Sequence, residues 1–350
     1  MIEAHAFDSW TREASRHSIA WRNLVIVAGF AAPLFLWLAG VAAVLAATRA
    51  ADRSGSRAKA AEAVCRRGAE IFILAFLFRV QAYVLSPGSP ALTIFRVDIL
   101  NIMGPSIVVV GVVWGLCRTS AQRAIVFSIV AAAICLLSPA VYATHAVDGL
   151  PAIAQWYVRH SGEYTTFALM PWVEFTFAGA AVGSLVAAAR DESAEDVLHA
   201  ALALAGAALV VIGVFASAQP RVFPGATFWT TSPTWFAIRI GIMMAMLAAL
   251  ARIDRPLTRV RCDGVRGRVW WSSPLARLGR SSLFVYWIHV ELVYGYASYF
   301  WWKALPLWAT GLAYAAFCAA MYGLVLLRDR AVAAWRARAQ FVAPAVIEQT

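Results

Sequence analysis

Histidines close to carboxylates are the side chains of this sequence best suited to proton transfer. Near the C-terminus, the run SSLFVYWIHVELVYG contains His289, followed two residues later by Glu291. On a helix this spacing is a rotation of about 200°, so the two side chains cannot face one partner together. Tyr286 and His289, three residues apart, do share a face. A neutral histidine inside a dry helix bundle can act as a base, an acid or a hydrogen-bond clamp.

A second group of such residues lies near the N-terminus. His17 and His5 are candidate bases, because a histidine with an unperturbed pKa near 6.5 can take a proton from an amine or a hydroxyl at neutral pH. The spacing of the histidines and the five cysteines is not typical of a metal site, so no metal is predicted. Other histidines and carboxylates that lie near one another in the sequence are Asp8, Glu13, His145, Asp148, His160 and Glu163.

The elements that must position these groups are apolar helices. Apolar residues make up 61% of the chain and charged residues 14%, against about 45–50% and about 25% in a soluble globule. This excludes a soluble, disordered or disulfide-stapled protein. Because lipid cannot hydrogen-bond an exposed backbone, the spans must be helical. The predicted fold is all-α, a polytopic transmembrane helix bundle that forms one integral membrane domain over 1–350.

Nine windows reach the roughly 20 apolar residues that a bilayer core requires. The abrupt start at MIEAH also predicts that a first helix is missing, and restoring it would make ten spans. The nine windows are 24–47, 69–86, 98–117, 123–144, 166–189, 199–219, 234–251, 281–300 and 305–327.

Arginine and lysine residues in the loops predict the orientation. The basic residues concentrate in 48–67, which has six, in 252–280, which has eight, and in the tail after residue 327, which has four. Alternation of nine spans places these segments on one side, and basic loops stay in the cytoplasm. We therefore expect 1–23 to be an outer N-terminal segment, 252–280 a basic cytoplasmic loop and 328–350 a cytoplasmic tail.

Ionisable side chains within the spans are costly in lipid and are therefore candidates for a function. Each of them has an alternative interpretation as an internal salt bridge or hydrogen bond that holds helices together. They are Arg79, Glu174, Arg239, His289 and Glu291, with Asp98 at a membrane edge.

Several runs of the sequence resemble a known family. They are GFAAPLFLWLAGVAAVLA (29–46), RRGAEIFILAFLFR (66–79), FRVDILNIMG (95–104) and PLARLGRSSLFVYWIHVELVYG (274–295). All are similar to segments of the heparan-alpha-glucosaminide N-acetyltransferase-like membrane proteins of bacteria. The opening MIEAH resembles the end of that family's first helix, whose Asp and Arg-Gly pair are absent here.

The resemblance implies an acyltransferase of the bacterial inner membrane. Such an enzyme moves an acetyl or acyl group from cytosolic acyl-CoA to an amine or hydroxyl of a sugar or envelope molecule on the other side. It implies a catalytic histidine just beyond the first helix, for which His17 matches best and His5 is the rival. If neither is the base, His289 and the 145–163 loop are the alternatives. The residues predicted to bind substrate or acyl-CoA are Arg79, Asp98, Glu174, Arg239, Tyr286, Arg277 and Arg280.

Two of these, Arg277 and Arg280, belong to the basic loop. Guanidinium groups suit the phosphates of CoA, although attraction to anionic lipid alone also explains a basic cytoplasmic loop. The expected partners are membrane lipids, an acyl-CoA donor such as acetyl-CoA and a sugar-like acceptor, with no nucleic acid. The sequence leaves open whether the protein forms a homo-oligomer.

Two other functional classes also stay open. In a secondary transporter or flippase, Arg79, Glu174 and Arg239 would form a proton or anion pathway. In a non-catalytic membrane scaffold, the same groups would only hold helices together. An enzyme requires acyl-CoA turnover that depends on one histidine, whereas a transporter requires substrate flux.

The loop charges predict an outer N-terminus and a cytoplasmic C-terminus, which cysteine labelling can test. A membrane-impermeant maleimide added to intact cells should label a cysteine introduced at Asp148 and should not label native Cys262. Permeabilised cells, in which both thiols are accessible, serve as the control. Labelling of Cys262 in intact cells would show that the orientation is the opposite of the predicted one.

Overall fold

The chain is helical throughout the part described by its structure, a computed structural model that covers residues 1–85, 88–220, 222–223, 226–259 and 274–342. Extended segments there pair only at two isolated bridges, Thr11 with Leu305 and Val97 with Thr165. The predicted all-α class is confirmed. The α-helices are α1 (Ile2–Trp10), α2 (Ile19–Ala28), α3 (Ala31–Ser54), α4 (Arg57–Val84), α5 (Ile99–Leu116), α6 (Ser120–Ala143), α7 (Ala152–Val158), α8 (Leu169–Ala188), α9 (Glu192–Ser217), α10 (Pro233–Arg259), α11 (Pro274–Arg280), α12 (Ser282–Tyr294) and α13 (Leu307–Val342).

Seven helical segments of the described residues are long and apolar enough to cross a membrane. Each coincides with one of the predicted windows, so the multi-pass membrane class is confirmed, whereas the count of nine is not. Residues 69–84 of the window 69–86 belong to α4, a 28-residue helix with charged residues along it, which is not among the seven. The seven are Ile19–Ser54, Ile99–Leu116, Ser120–Ala143, Leu169–Ala188, Glu192–Ser217, Pro233–Ile253 and Leu307–Arg338.

The predicted span 281–300 is not one continuous helix. α12 has 13 residues, and after Gly295 the chain continues as a 3-10 helix, Tyr296–Trp301. At 1.5 Å per residue, 13 residues extend about 20 Å, which is shorter than a hydrocarbon core of about 30 Å. The apolar composition of this window was correct, but composition does not reveal where the helix ends.

The predicted cytoplasmic segments are only partly described. Residues 260–273 of the basic loop 252–280 lie outside the described residues, and the two ends of the loop belong to α10 and α11. The predicted tail begins within α13, which continues as helix to Val342.

Contacts divide the chain into two compact units. The terminal unit comprises Met1–Gly29 and Pro256–Thr350, and the middle unit comprises Phe30–Arg255. The expectation of a single membrane domain over 1–350 stays a prediction.

The interior of the middle unit is built around α8. Its run FAGAAVGS, residues 177–184, consists mostly of small side chains, and all eight are buried. α8 packs against α3 and α6, while α4 packs against α5. In contrast, α9 exposes large apolar side chains such as Leu204 and Phe215. Such an exposed apolar surface is what a lipid environment requires.

Helix backbones in the middle unit touch directly at glycines. A Cβ atom added at Gly179 of α8 would lie 1.9 Å from the backbone oxygen of Trp37, and one at Gly40 of α3 would lie 1.9 Å from that of Thr176. Gly68 of α4 faces Gly104 of α5 in the same way. Small residues permit this close approach, on which membrane helices depend because lipid provides no hydrophobic drive between them.

The terminal unit fastens α1 to the C-terminal helices. Trp10 is buried in a cluster with Ala6 and Val293, and its ring meets Phe317 edge-on, with the centroids 5.5 Å apart. The hydroxyl of Ser9 donates to the carbonyl of Val293 at 3.0 Å. These contacts fix the position of α1 relative to α12.

The glycine contacts predict a sharp difference between two alanine substitutions. Gly179→Ala places a methyl group against the backbone of α3 and should lower the free energy of unfolding by about 1–3 kcal/mol, the range for overpacking. Gly323→Ala in α13, where nothing lies within 4 Å of the added carbon, should not lower it. Unfolding of both variants in mixed detergent micelles measures the difference. Equal stability would show that α3 and α8 can move apart at little cost.

Candidate active site

Two histidines from distant parts of the sequence meet in the terminal unit. The rings of His5 on α1 and His289 on α12 have centroids 5.3 Å apart. His289 is fully buried, while His5 is partly exposed. Tyr286 meets the His289 ring edge-on with the centroids 5.8 Å apart, in agreement with the predicted shared face.

A tyrosine and an aspartate complete this group, which we call the histidine cluster: His5, Asp8, Tyr286, His289 and Tyr294. The Tyr294 hydroxyl lies 3.1 Å from Nδ1 of His5 and donates to Oδ2 of Asp8, also at 3.1 Å. His5 and Asp8 are three residues apart on α1, so they face the same side. Tyr294, at the last turn of α12, reaches both.

The hydrogen bond of His289 determines its neutral tautomer. Nδ1 of His289 lies 2.6 Å from the backbone oxygen of Val285, and since a carbonyl oxygen only accepts, Nδ1 carries the proton. Nε2 then carries the lone pair, and it has no hydrogen-bond partner within the described residues. A buried imidazole with a free lone pair can accept a proton or attack an acyl carbon.

His17, the histidine predicted first, lies elsewhere. It is exposed in the turn before α2, where Ser18 caps that helix by accepting from the backbone N–H of Trp21. Within the part of the chain that the structure describes, no hydrogen bond or ion pair involves His17. Its assignment as the base stays a prediction, and the histidine cluster contains its two rivals.

The histidine of the outer loop forms a different pair. His145 Nδ1 lies 2.9 Å from Oδ2 of Asp148, and Arg159 also binds this carboxylate. These hydrogen bonds, that of His145 foremost, lower the pKa of Asp148. Arg159 further donates to the carbonyls at the end of α6, at 2.8 Å for Thr144. Arg159 and Asp148 therefore fasten the loop, and His145 is almost fully exposed.

In the middle unit, Arg79 and Asp98 form an ion pair with each other. Both side chains are largely buried, with exposed fractions of 14% and 12%. Asp98 also caps α5, because its carboxylate accepts from the backbone N–H of Ile99 at 2.9 Å and its own backbone N–H donates to Oδ1 of Asn101. The pair joins α4 to the start of α5, and its role in substrate binding stays a prediction.

Glu174 and Arg239 are also buried in the middle unit, with exposed fractions of 3% and 6%. They are close enough to interact electrostatically, and the Arg239 guanidinium lies 4.7 Å from the centroid of the Trp235 ring. One carboxylate oxygen of Glu174 and Nε of Arg239 have no hydrogen-bond partner among the described residues. Glu174 belongs to α8 and Arg239 to α10, and their role in substrate binding stays a prediction.

The two arginines of the basic loop lie in α11, a helix of seven residues. Arg280 donates to the carbonyl of Ala276 at 3.3 Å and is exposed, while Arg277 is partly buried. Their predicted contact with the phosphates of CoA stays a prediction. Among the described residues, no group of three His, Cys, Asp or Glu side chains is placed to hold a metal ion.

Comparison with known protein families finds one that matches this chain. A family model described as heparan-alpha-glucosaminide N-acetyltransferase, catalytic, matches residues 7–220, which is more than half of the chain. The chain belongs to this family. The resemblance seen in the sequence is thereby confirmed. A search of curated proteins finds no match.

The match to the heparan-alpha-glucosaminide N-acetyltransferase family includes part of the candidate site. His17, Arg79, Asp98 and Glu174 lie within it, while His5 lies two residues before it and His289 lies well after it. The match identifies a membrane acetyltransferase, but it gives no role to the histidine cluster. That cluster is recognised only from the contacts in the folded chain.

Sequence reasoning missed Tyr294 altogether and named Asp8 only as one of several carboxylates that could pair with a histidine. Tyr294 follows His289 by five residues, a spacing that puts the two on different sides of α12, so periodicity gave no reason to connect them. The signal that existed was the pair His5 and Asp8 at helical spacing. Its partner, 286 residues away, could come only from tertiary contacts.

The Asp98 site predicts separable effects of charge and capping. Asp98→Asn retains a side chain that caps equally well but removes the counter-ion of Arg79, and should cost up to about 3 kcal/mol of unfolding free energy. Asp98→Ala should cost about 1 kcal/mol more, because the cap is also lost. Asp191→Asn, at the exposed cap of α9, is the matched control and should be neutral. The free energies are measured by unfolding in detergent. If Asp98→Asn is as stable as the wild type, the ion pair with Arg79 does not stabilise the fold.

Proposed function

We propose that this protein is a membrane acyltransferase that takes an acetyl group from acetyl-CoA and transfers it to an amine or hydroxyl of a sugar or envelope molecule, with His5 as the base. Family membership supports the reaction class, since acetyltransferases of this family use acetyl-CoA as the donor. The observation that carries the choice of base is the histidine cluster, in which His5 lies beside a buried histidine and a tyrosine–aspartate pair.

The cluster has the chemistry that acyl transfer needs. The acceptor's amine or hydroxyl must lose a proton as it attacks the thioester carbonyl, and a positioned base contributes roughly 10²–10⁴-fold to the rate. His5 is partly exposed, so an acceptor can reach it, whereas His289 is fully buried. His289 packs behind the His5 ring and is positioned to keep that ring in place.

The proposed setting is the bacterial inner membrane, with the donor on the cytoplasmic side. Loop charges support this orientation, and the apolar helices support a multi-pass protein. Under the proposed orientation His5 belongs to the outer N-terminal segment, where a sugar of the cell envelope would arrive. Arginines of the basic loop, including Arg277 and Arg280, are proposed to attract the phosphates of CoA.

His5→Ala should lower acetyl transfer by at least about a hundredfold, since it removes the base. Purified protein in liposomes would receive labelled acetyl-CoA and a panel of amino sugars and neutral sugars, with the labelled product counted. His289→Ala should also lower transfer, while His17→Ala should retain it. His199→Ala, in α9, is the matched control for removing an imidazole and should be active.

Only variants that insert and remain monodisperse in detergent would be compared. Full turnover in His5→Ala with loss in His17→Ala would reassign the base to His17. No turnover of acetyl-CoA with any acceptor, combined with flux of a charged solute that requires Arg79 or Glu174, would favour the transporter instead.

A further inference from the structure

We propose that Tyr294 is a positioning residue for acyl transfer: its hydroxyl, turned toward Asp8, holds His5 in the tautomer that carries its proton on Nδ1. The lone pair of Nε2 is then the one that takes the proton of the acceptor. This inference rests on the proposed function of His5 as the base, and it concerns how that base is prepared.

Counting protons along the chain of hydrogen bonds leads to the tautomer. An ionised carboxylate only accepts hydrogen bonds. Tyr294 has a single hydroxyl proton, which it donates to Asp8 at 3.1 Å. Toward His5, also at 3.1 Å, the tyrosine oxygen can then only accept. The proton between them must therefore belong to Nδ1 of His5, which leaves Nε2 as the basic nitrogen.

Arg16 lies beside Asp8, at the far end of this chain of hydrogen bonds. Its guanidinium lies 3.6 Å from Oδ1 of Asp8 and also donates to the backbone oxygen of Asp8. Arg16 is largely buried, with 16% of its side chain exposed, although Asp8 itself is 61% exposed. A cation on the Oδ1 side of the carboxylate opposes rotation that would turn Oδ2 away from Tyr294.

The helices that carry this chain of hydrogen bonds are also held to each other. Ser9 and Trp10, directly after Asp8, hydrogen-bond to Val293 and to Ser298, each at 3.0 Å. Val293 precedes Tyr294 on α12, so α1 and α12 are joined one residue away from the tyrosine–aspartate contact. Two side chains on rigid helices lose little further freedom when they form a hydrogen bond, which is the condition for precise positioning.

In the reaction, the acceptor's nitrogen or oxygen forms the new bond to the acyl carbon while its proton passes to Nε2 of His5. The carbon–sulfur bond of the thioester then breaks, and the CoA sulfur leaves with that proton, so atoms and charge balance. Between these steps His5 is an imidazolium. Its Nδ1–H points at the Tyr294 oxygen, whose dipole is oriented by Asp8, and this arrangement stabilises the positive charge.

Tyr294→Phe removes only the hydroxyl and tests the proposal. We expect kcat to fall about tenfold to a hundredfold, by analogy with the loss of partners that orient metal-binding histidines, with the KM for acetyl-CoA unchanged. Tyr299→Phe removes a hydroxyl from an exposed tyrosine of the neighbouring 3-10 helix and should leave kcat as in the wild type. A loss caused by damaged packing would also lower the yield of monodisperse protein, which is measured in parallel.

The tautomer itself can be measured by nitrogen NMR. Protein labelled with 15N-histidine in lipid nanodiscs gives separate shifts for protonated and unprotonated ring nitrogens, and the His5 signals are those that His5→Ala lacks. The wild type should show Nδ1 protonated and Nε2 unprotonated, and Tyr294→Phe should show a mixture of tautomers. Because the wild-type spectrum tests the proposal alone, the test does not depend on the variant folding.

The outcomes separate this inference from the proposed function. A wild-type His5 protonated on Nε2, or full turnover in Tyr294→Phe while His5→Ala is inactive, would overturn the positioning role and leave His5 as the base. Full turnover in His5→Ala would overturn the proposed base, whatever the tautomer.

Discussion

Direct contact between helix backbones is the constraint on which the middle unit depends. Lipid is as apolar as the side chains that face it, so membrane helices gain little by hiding apolar surface from it and must pack closely instead. At Gly40 and Gly179 the approach is so close that even a methyl group would collide with the opposite backbone. Close packing of α3, α4, α5 and α8 then fixes where the polar residues of these helices lie.

Four buried charges of this unit each lie near a charge of opposite sign. The Arg79–Asp98 pair joins α4 to α5, and Arg239 shares the interior with Glu174 and the ring of Trp235. A lone charge in such surroundings would be very costly, and pairing is the usual remedy. Pairing explains why these residues are tolerated in the interior.

The histidine cluster of the terminal unit follows a different principle. Three of its members, Asp8, Tyr294 and His5, are joined by hydrogen bonds in an order that proton counting makes directional, and Arg16 lies beside Asp8. A partly exposed imidazole at the end of such a chain is suited to accept a proton from a molecule outside the protein. Family membership agrees with this chemistry, because acetyl transfer needs a base beside the acceptor.

The sequence by itself determined the membrane class, the helical fold, most of the spans and the family, because these depend on composition and on runs of neighbouring residues. It also identified His5, His289 and Tyr286, since i and i+3 spacing places the last two on one face of a helix. Only the tertiary structure decided that α12 stops at Gly295 and that Tyr294 meets His5 and Asp8. A contact between residues almost 290 positions apart leaves no periodic signal, since it arises from the packing of α1 against α12 rather than from any local pattern.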